Sequence, residues 1–168
     1  MCTTLDTTNT SNALTQVDWG DGATAPVQAA GLPGRVMVKG TDANDVRYMY
    51  FNVDDKVAYN GAFQAAITVT YLDQGTGSFS LQYDSNNSSG AHSGAYTNAG
   101  SVQRTGTGTW KTATFTVNDA RFADRENAGA DFRLVSGGSG DPYAVTAHSV
   151  AVTVTGPGVL PGDECSGS

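Results

Sequence analysis

The sequence predicts an all-β protein built as an antiparallel β-sandwich, and three observations carry that reading. Glycine supplies 21 of 168 residues, and only 15% of residues are charged. Thr and Ser abound where Leu, Glu and Lys are scarce, a balance that favours strands and turns over helices. Segments alternating between apolar and polar residues recur between Gly, Asn and Asp turns.

Taken in order, residues 1–13 read as a polar tail or a loosely attached first strand, residues 14–155 as the sandwich, and residues 156–168 as an exit linker. Leu14 to Trp19 alternates, with Thr15, Val17 and Trp19 on one side, and Gly20-Asp21-Gly22 breaks it. A Pro- and Gly-punctuated loop runs on to Gly34, and Arg35 to Val38 forms a short strand. Val46 to Val53 is apolar or aromatic on both faces, so it is buried on both sides or packs an aromatic face beneath a loop. Ala65 to Leu72 puts Ile67, Val69 and Tyr71 on one face and threonines on the other. A tight DQGTG connection leads to Ser78–Asp84, where Phe79, Leu81 and Tyr83 point inward. After a polar loop from Ser85 to Gly100, Ser101–Arg104 is a weak strand. Thr109 to Val117 puts Phe115 and Val117 on one face and Trp110 with threonines on the other. Short and long strands, Asp131–Leu134 and one ending in SVAVTVTG, complete the sheets.

Net charge is −7 and the sequence pI is near 4.5. Phosphate-backbone binding needs clustered Lys and Arg, so nucleic acid is excluded as a partner. No run of 18 apolar residues offers a membrane span. The polar N-terminus lacks the apolar core of a secretory leader, and Met1 reads as the start of an excised module. The acidic, Thr/Gly/Asn-rich make-up suits a secreted bacterial protein, and a monomer is expected. Cys2 and Cys165 sit at opposite ends of the chain. Where first and last strands are neighbours the termini meet, so the two either form a disulfide or remain free thiols.

Antiparallel strands reverse at each turn, so alternate loops emerge at the same end. Counted from Val46, the loops at 54–64, 85–100 and 118–130 share one end, and the short turns at 73–77 and 105–108 share the other. The elaborated end gathers Asp54, Asp55, Tyr59, Asp84, Asn86, Asn87, Tyr96 and Arg125 as candidate carbohydrate contacts. Carboxylates and amides pair with sugar hydroxyls, and aromatic rings pack on the C–H face of a pyranose. The competing reading is loop architecture, with Asp and Asn capping turns and arginines neutralising acids. In the Arg121–Arg133 loop that reading prevails: Asp119, Arg121, Asp124, Arg125, Glu126, Asp131 and Arg133 are expected to ion-pair and brace the sandwich edge.

Asp21 and Asp141 could meet where the outer strands pair and offer hard oxygens to a calcium ion. Catalysis has little support. His92 lies in a flexible loop and His148 on a strand, and no nucleophile elbow or zinc pattern is present. Asp54 and Asp55, adjacent on the chain, point oppositely and make a poor acid–base couple.

The strings DGATAPVQAAG, RYMYFNVDD, TVTYLDQGTGSFSLQYDS, GTGTWKTATFTVNDARFADRENAGADFRL and AVTAHSVAVTV resemble the jelly-roll carbohydrate-binding modules of secreted bacterial polysaccharide-degrading enzymes. The resemblance covers about residues 14–155. It implies a jelly-roll sandwich that binds an oligo- or polysaccharide without acting on it and serves an attached catalytic domain. It also implies structural calcium, which would fall on Asp21 or Asp141. The alternative is a structural spacer packing on a catalytic neighbour. A small lyase or glycosidase is a third reading.

Overall fold

The computed structural model describes residues 1–38, 44–136 and 144–157. Among these described residues twelve strands are seen: β1 (Cys2–Thr4), β2 (Thr10–Asn12), β3 (Leu14–Val17), β4 (Thr24–Ala29), β5 (Leu32–Met37), β6 (Arg47–Val53), β7 (Phe63–Leu72), β8 (Ser78–Tyr83), β9 (Thr97–Gln103), β10 (Trp110–Ala120), β11 (Phe132–Ser136) and β12 (Thr146–Thr155). They form two antiparallel sheets. One has the order β10-β7-β12-β1-β2, with β5 joined to β12 and β4 to β5. The other is five-stranded, β3-β6-β11-β8-β9. From β5 to β8 and again from β9 to β12, consecutive strands cross from sheet to sheet, the winding of a jelly-roll sandwich.

Strict alternation decides which side chains meet between the sheets. Met49, Phe51 and Val53 of β6 face Ile67 and Val69 of β7, Phe79 and Leu81 of β8, Phe132 and Leu134 of β11, and Val150 and Val152 of β12. Phe51 stacks on Phe132 at 5.1 Å, and Tyr71 meets Phe79 edge-on at 5.0 Å. Truncating any one of these fully buried rings to alanine would cost about 3–5 kcal/mol.

Several boundaries differ from the expectation. Of the two readings of residues 1–13, tail or first strand, the strand holds. β1 is hydrogen-bonded between β12 and β2, and Leu5 is fully buried beside it. The segment between Gly22 and Gly34 is not a loop but the strand β4 and its hairpin partner β5. Runs of Thr, Ala, Pro and Gln carry no apolar alternation, so their pairing was invisible to a periodicity argument. In β3 the inward residues are Leu14 and Gln16, which leaves Thr15 exposed and Val17 half-buried. β9 starts at Thr97, which shortens the polar loop before it. Cys2 is buried and disulfide-bonded. Cys165, Asp141 and most of the expected linker lie outside the described residues.

The plain end of the sandwich is closed by a buried carboxylate. Asp73 accepts hydrogen bonds from the backbone N–H and hydroxyl of both Thr105 and Thr107, and an ion pair from Lys111 at 2.9 Å. The Thr107 hydroxyl foremost, with Lys111 and Thr105, holds its carboxyl well below the usual carboxylate range.

Candidate functional site

The loops counted to one end of the sandwich meet there in three dimensions. Asn60 N–H donates to Phe122 O at 3.0 Å, Gly61 N–H to Arg121 O at 3.0 Å, and Asn86 N–H to Asp119 O at 2.8 Å. The loops after β6, β8 and β10 are thus laced together at one end. Three of the residues expected to touch sugar there, Asp84, Asn86 and Arg125, join in the lacing. Asp84 is fully buried, and this corrects its assignment as a contact: Arg125 binds its Oδ1 at 2.7 Å, and Ala123 N–H donates to its Oδ2 at 2.7 Å. The same arginine reaches Ser93 O and Ser85 O. Arg125 is therefore spent on the loop, and a ligand would have to break a salt bridge to use it.

Asn86, exposed at its edges, donates its amide to Gly61 O at 2.7 Å. Asn87 Oδ1 accepts from Ser89 N–H, and Asp54 Oδ1 accepts from Lys56 N–H, both ordinary turn caps. Asp55 is exposed and lies beside Asp124, whose carboxyl is raised to about 6 by burial first and by Asp55 second. Tyr59 is 51% exposed and remains the open aromatic of this end.

The expected set of ion pairs in the 121–133 loop is also corrected. Arg125 pairs outside the loop with Asp84, and Arg121 donates to Asn60 Oδ1 rather than to an acid. Asp131, fully buried, accepts from Val53 N–H and Asp124 N–H. Burial raises its carboxyl to about 8. Glu126 is 4% exposed and neither of its carboxylate oxygens has a partner, so burial holds it well above the usual carboxylate range. Buried acids with raised carboxyls fill this loop where a brace of ion pairs was expected.

Tyr96 does not look toward Tyr59. Its loop carries it over the outward face of the five-stranded sheet, onto Arg133. Alternation turns Phe132 and Leu134 inward, so Arg133 must emerge on that face. Met49 and Phe51 do the same for Tyr48 and Tyr50. The register then aligns Tyr50, Arg133 and Gln82 in one row across β6, β11 and β8. Arg133 Nε donates to Gln82 Oε1 at 2.7 Å, and Nη1 donates to the Tyr50 hydroxyl at 3.0 Å. Its guanidinium lies 4.2 Å from the Tyr48 ring centroid and 4.1 Å from that of Tyr96. Two aromatic rings thus pack on one flat cation, an arrangement that suits guanidinium better than ammonium.

Asn127 holds the clasp from the side. Its N–H donates to the Tyr96 hydroxyl at 2.9 Å, its Oδ1 accepts from that hydroxyl at 3.0 Å, and its amide donates to the Tyr50 hydroxyl at 3.0 Å. Burial raises both tyrosines, so their hydroxyls stay protonated at neutral pH. The Gly20–Gly22 turn roofs Tyr50, as the doubly apolar β6 required. A Cβ on Gly22 would strike the Tyr50 ring. Trp19, 55% exposed, stands at the entry to that turn. The next row of the same face, beside Tyr48, opens into a shallow depression of ≈ 100 Å³ bordered by Ser80, Ser101 and Val135.

Asp21 lies at the rim of this face. Its Oδ2 receives the Asn127 amide at 3.5 Å, and its Oδ1 is buried without a hydrogen-bond partner. Among the described residues no three His, Cys, Asp or Glu side chains are grouped to hold a metal ion. Asp21 thus offers one unsatisfied hard oxygen and falls short of a calcium cage by itself.

No protein-family model matches the chain, and no curated protein matches it. Solved structures share its general form at low identity. The chain is similar to the C-terminal CBM6 of LamC, a marine laminarinase from Zobellia galactanivorans (14% identity, 83% of this chain and 90% of that one, TM-score 0.44). It is similar to CBM29_1, a family 29 carbohydrate-binding module from Piromyces equi (9% identity, 91% and 90%, TM-score 0.47). It also resembles part of the Arthrobacter globiformis T6 isomalto-dextranase (14% identity, 83% of this chain, TM-score 0.43), of whose length it spans 23%. At such similarity the function has to be argued from the residues themselves.

Proposed function

We propose that the domain is a non-catalytic carbohydrate-binding module whose contact surface is the outward face of the five-stranded sheet. The clasp of Arg133 between Tyr48 and Tyr96 carries this reading. Aromatic edges, the amide of Gln82 and guanidinium N–H groups stand together on one rigid sheet. A sugar asks for C–H contact beside fixed hydrogen-bond donors and acceptors. The laced loop end serves this face by holding Tyr96 over it.

In the full-length protein the module raises the local concentration of an attached glycan-active enzyme on its polymer, outside the cell. It works as a monomer. A calcium ion shared by Asp21 and Asp141 belongs to the same proposal. The unpartnered Asp21 oxygen supports it, and the lack of a grouped donor set among the described residues weighs against it.

Retardation of the isolated domain in gels containing soluble polysaccharides tests the reading. Tyr48→Ala should abolish retardation and Tyr59→Ala should leave it intact. The reverse result moves the site to the loop end. No retardation by any polysaccharide favours the spacer. Release of reducing ends or unsaturated products revives an enzyme.

A further inference from the structure

We propose that this face takes a sugar bearing an anionic oxygen pair, a uronate carboxylate or a sulfate ester, and that Arg133 is the group that reads it. The inference rests on the carbohydrate-binding reading and names the class of sugar. Arg35, Arg47, Lys111 and Arg125 each stand within 4 Å of an aspartate carboxylate. Among the described residues no carboxylate stands that close to Arg133. Its hydrogen-bond partners are neutral, an amide and a phenol. Its charge is opposed only through space, by the buried Glu126, and no hydrogen bond joins the two.

The geometry says how a ligand would complete it. Tyr48 and Tyr96 both pack on the guanidinium, their ring centroids 4.2 and 4.1 Å from its carbon, so a ligand would meet it through its N–H groups. Nε is directed at Gln82 and one N–H of Nη1 at Tyr50. One N–H of Nη1 and both of Nη2 are without a partner among the hydrogen bonds described, and a guanidinium edge of that kind can donate to two oxygens at once. A hydroxyl pair can use such a fork, but a carboxylate or sulfate gains a charge-assisted pair of bonds there. The rings pin the guanidinium, so little side-chain freedom is lost on binding. The acids facing this group do not pre-empt it. Glu126 is buried and makes no hydrogen bond to the guanidinium, and Asp21 directs its Oδ2 at the Asn127 amide.

The test uses the whole chain in affinity gels and titration calorimetry. Its probes are polygalacturonate, the same polymer after carboxyl reduction, dextran sulfate and dextran. Retardation by polygalacturonate that vanishes on carboxyl reduction supports the assignment and identifies a uronate. Retardation by dextran sulfate but not dextran supports it and identifies a sulfate. Arg133→Gln should then weaken binding about ten- to a hundred-fold. Added salt should weaken binding in the same direction. Equal binding of the reduced and unreduced polymers overturns the anionic class and leaves a neutral-sugar module standing. Binding by none of these probes or by any neutral polysaccharide overturns the module reading as well. If Arg133→Gln does not fold, the reduced and unreduced polymers compared on the unaltered protein still decide.

Discussion

Three raised carboxyls packed around the 121–131 loop make the fold more stable in mild acid than in mild alkali, and the size of that effect can be worked from Asp131. Its carboxyl titrates near 8 when folded, against 3.8 when exposed. Between those values the unfolded chain has lost a proton that the folded chain keeps, so stability falls as pH rises. Each pH unit in that window costs about 1.4 kcal/mol, so moving from about pH 5 to about pH 8 removes at most about 4 kcal/mol. In a chain of this size that is a Tm lower by about 8–16 °C. Asp124, raised to about 6, adds in the same direction, discounted because it is partly open to solvent. Asp73 does not compete. Its carboxyl is depressed, so its contribution is complete above the ordinary carboxylate range and is lost only as pH falls further. Thermal melts by circular dichroism at three pH values measure the slope. Glu126→Gln supplies the control, because a neutral amide of the same shape removes the buried acid. It should raise Tm at pH 8 and change little at pH 5. A Tm that is equal or higher at pH 8, or a Glu126→Gln protein destabilised there, refutes the reasoning.

Other perturbations separate structure from binding. Asp84→Ala leaves Arg125 without its buried partner and should cost about 3–5 kcal/mol, read as a lower denaturant midpoint with unchanged slope. Gly22→Ala drives a methyl into the Tyr50 ring and should weaken polysaccharide retardation through Arg133 while lowering Tm. Gly34→Ala, whose Cβ would stand 2.6 Å from Ala147 O, should destabilise without that loss of binding. Calcium held by Asp21 and Asp141 predicts a lower Tm in EDTA, and a Tm indifferent to EDTA removes the ion from the proposal.

The sandwich was legible because its core strands obey period-two alternation. Phe79, Leu81 and Tyr83 could point only one way, and they do. The shared loop end was legible too, since it needs only a count of reversals. The use of that end was not. Asp84 looks the same in a sequence whether it faces solvent or a half-buried arginine forty-one residues downstream, and only the fold brings Arg125 to it. Arg133 illustrates the opposite case. Its alternation with Phe132 and Leu134 already placed it on the outer face, but its charged neighbours in the chain suggested ion pairing. The register against Tyr50 and Gln82, a long-range property, decided otherwise. Strand β4 escaped because Ala, Pro, Val and Gln in turn carry no hydrophobic rhythm.

The bridge between Ser85 and Gly94 has a use in engineering. Ser85 N–H donates to Gly94 O at 2.8 Å and its hydroxyl donates to the same oxygen at 2.9 Å, so the loop is stapled at its neck. Residues 87–92 beyond the staple are exposed apart from Gly90. Lengthening such a closed excursion costs only about 0.6 kcal/mol per doubling. The tip is therefore a permissive graft point, where a foreign peptide could be displayed beside the tyrosine-clasped face without loosening the sheets that support it.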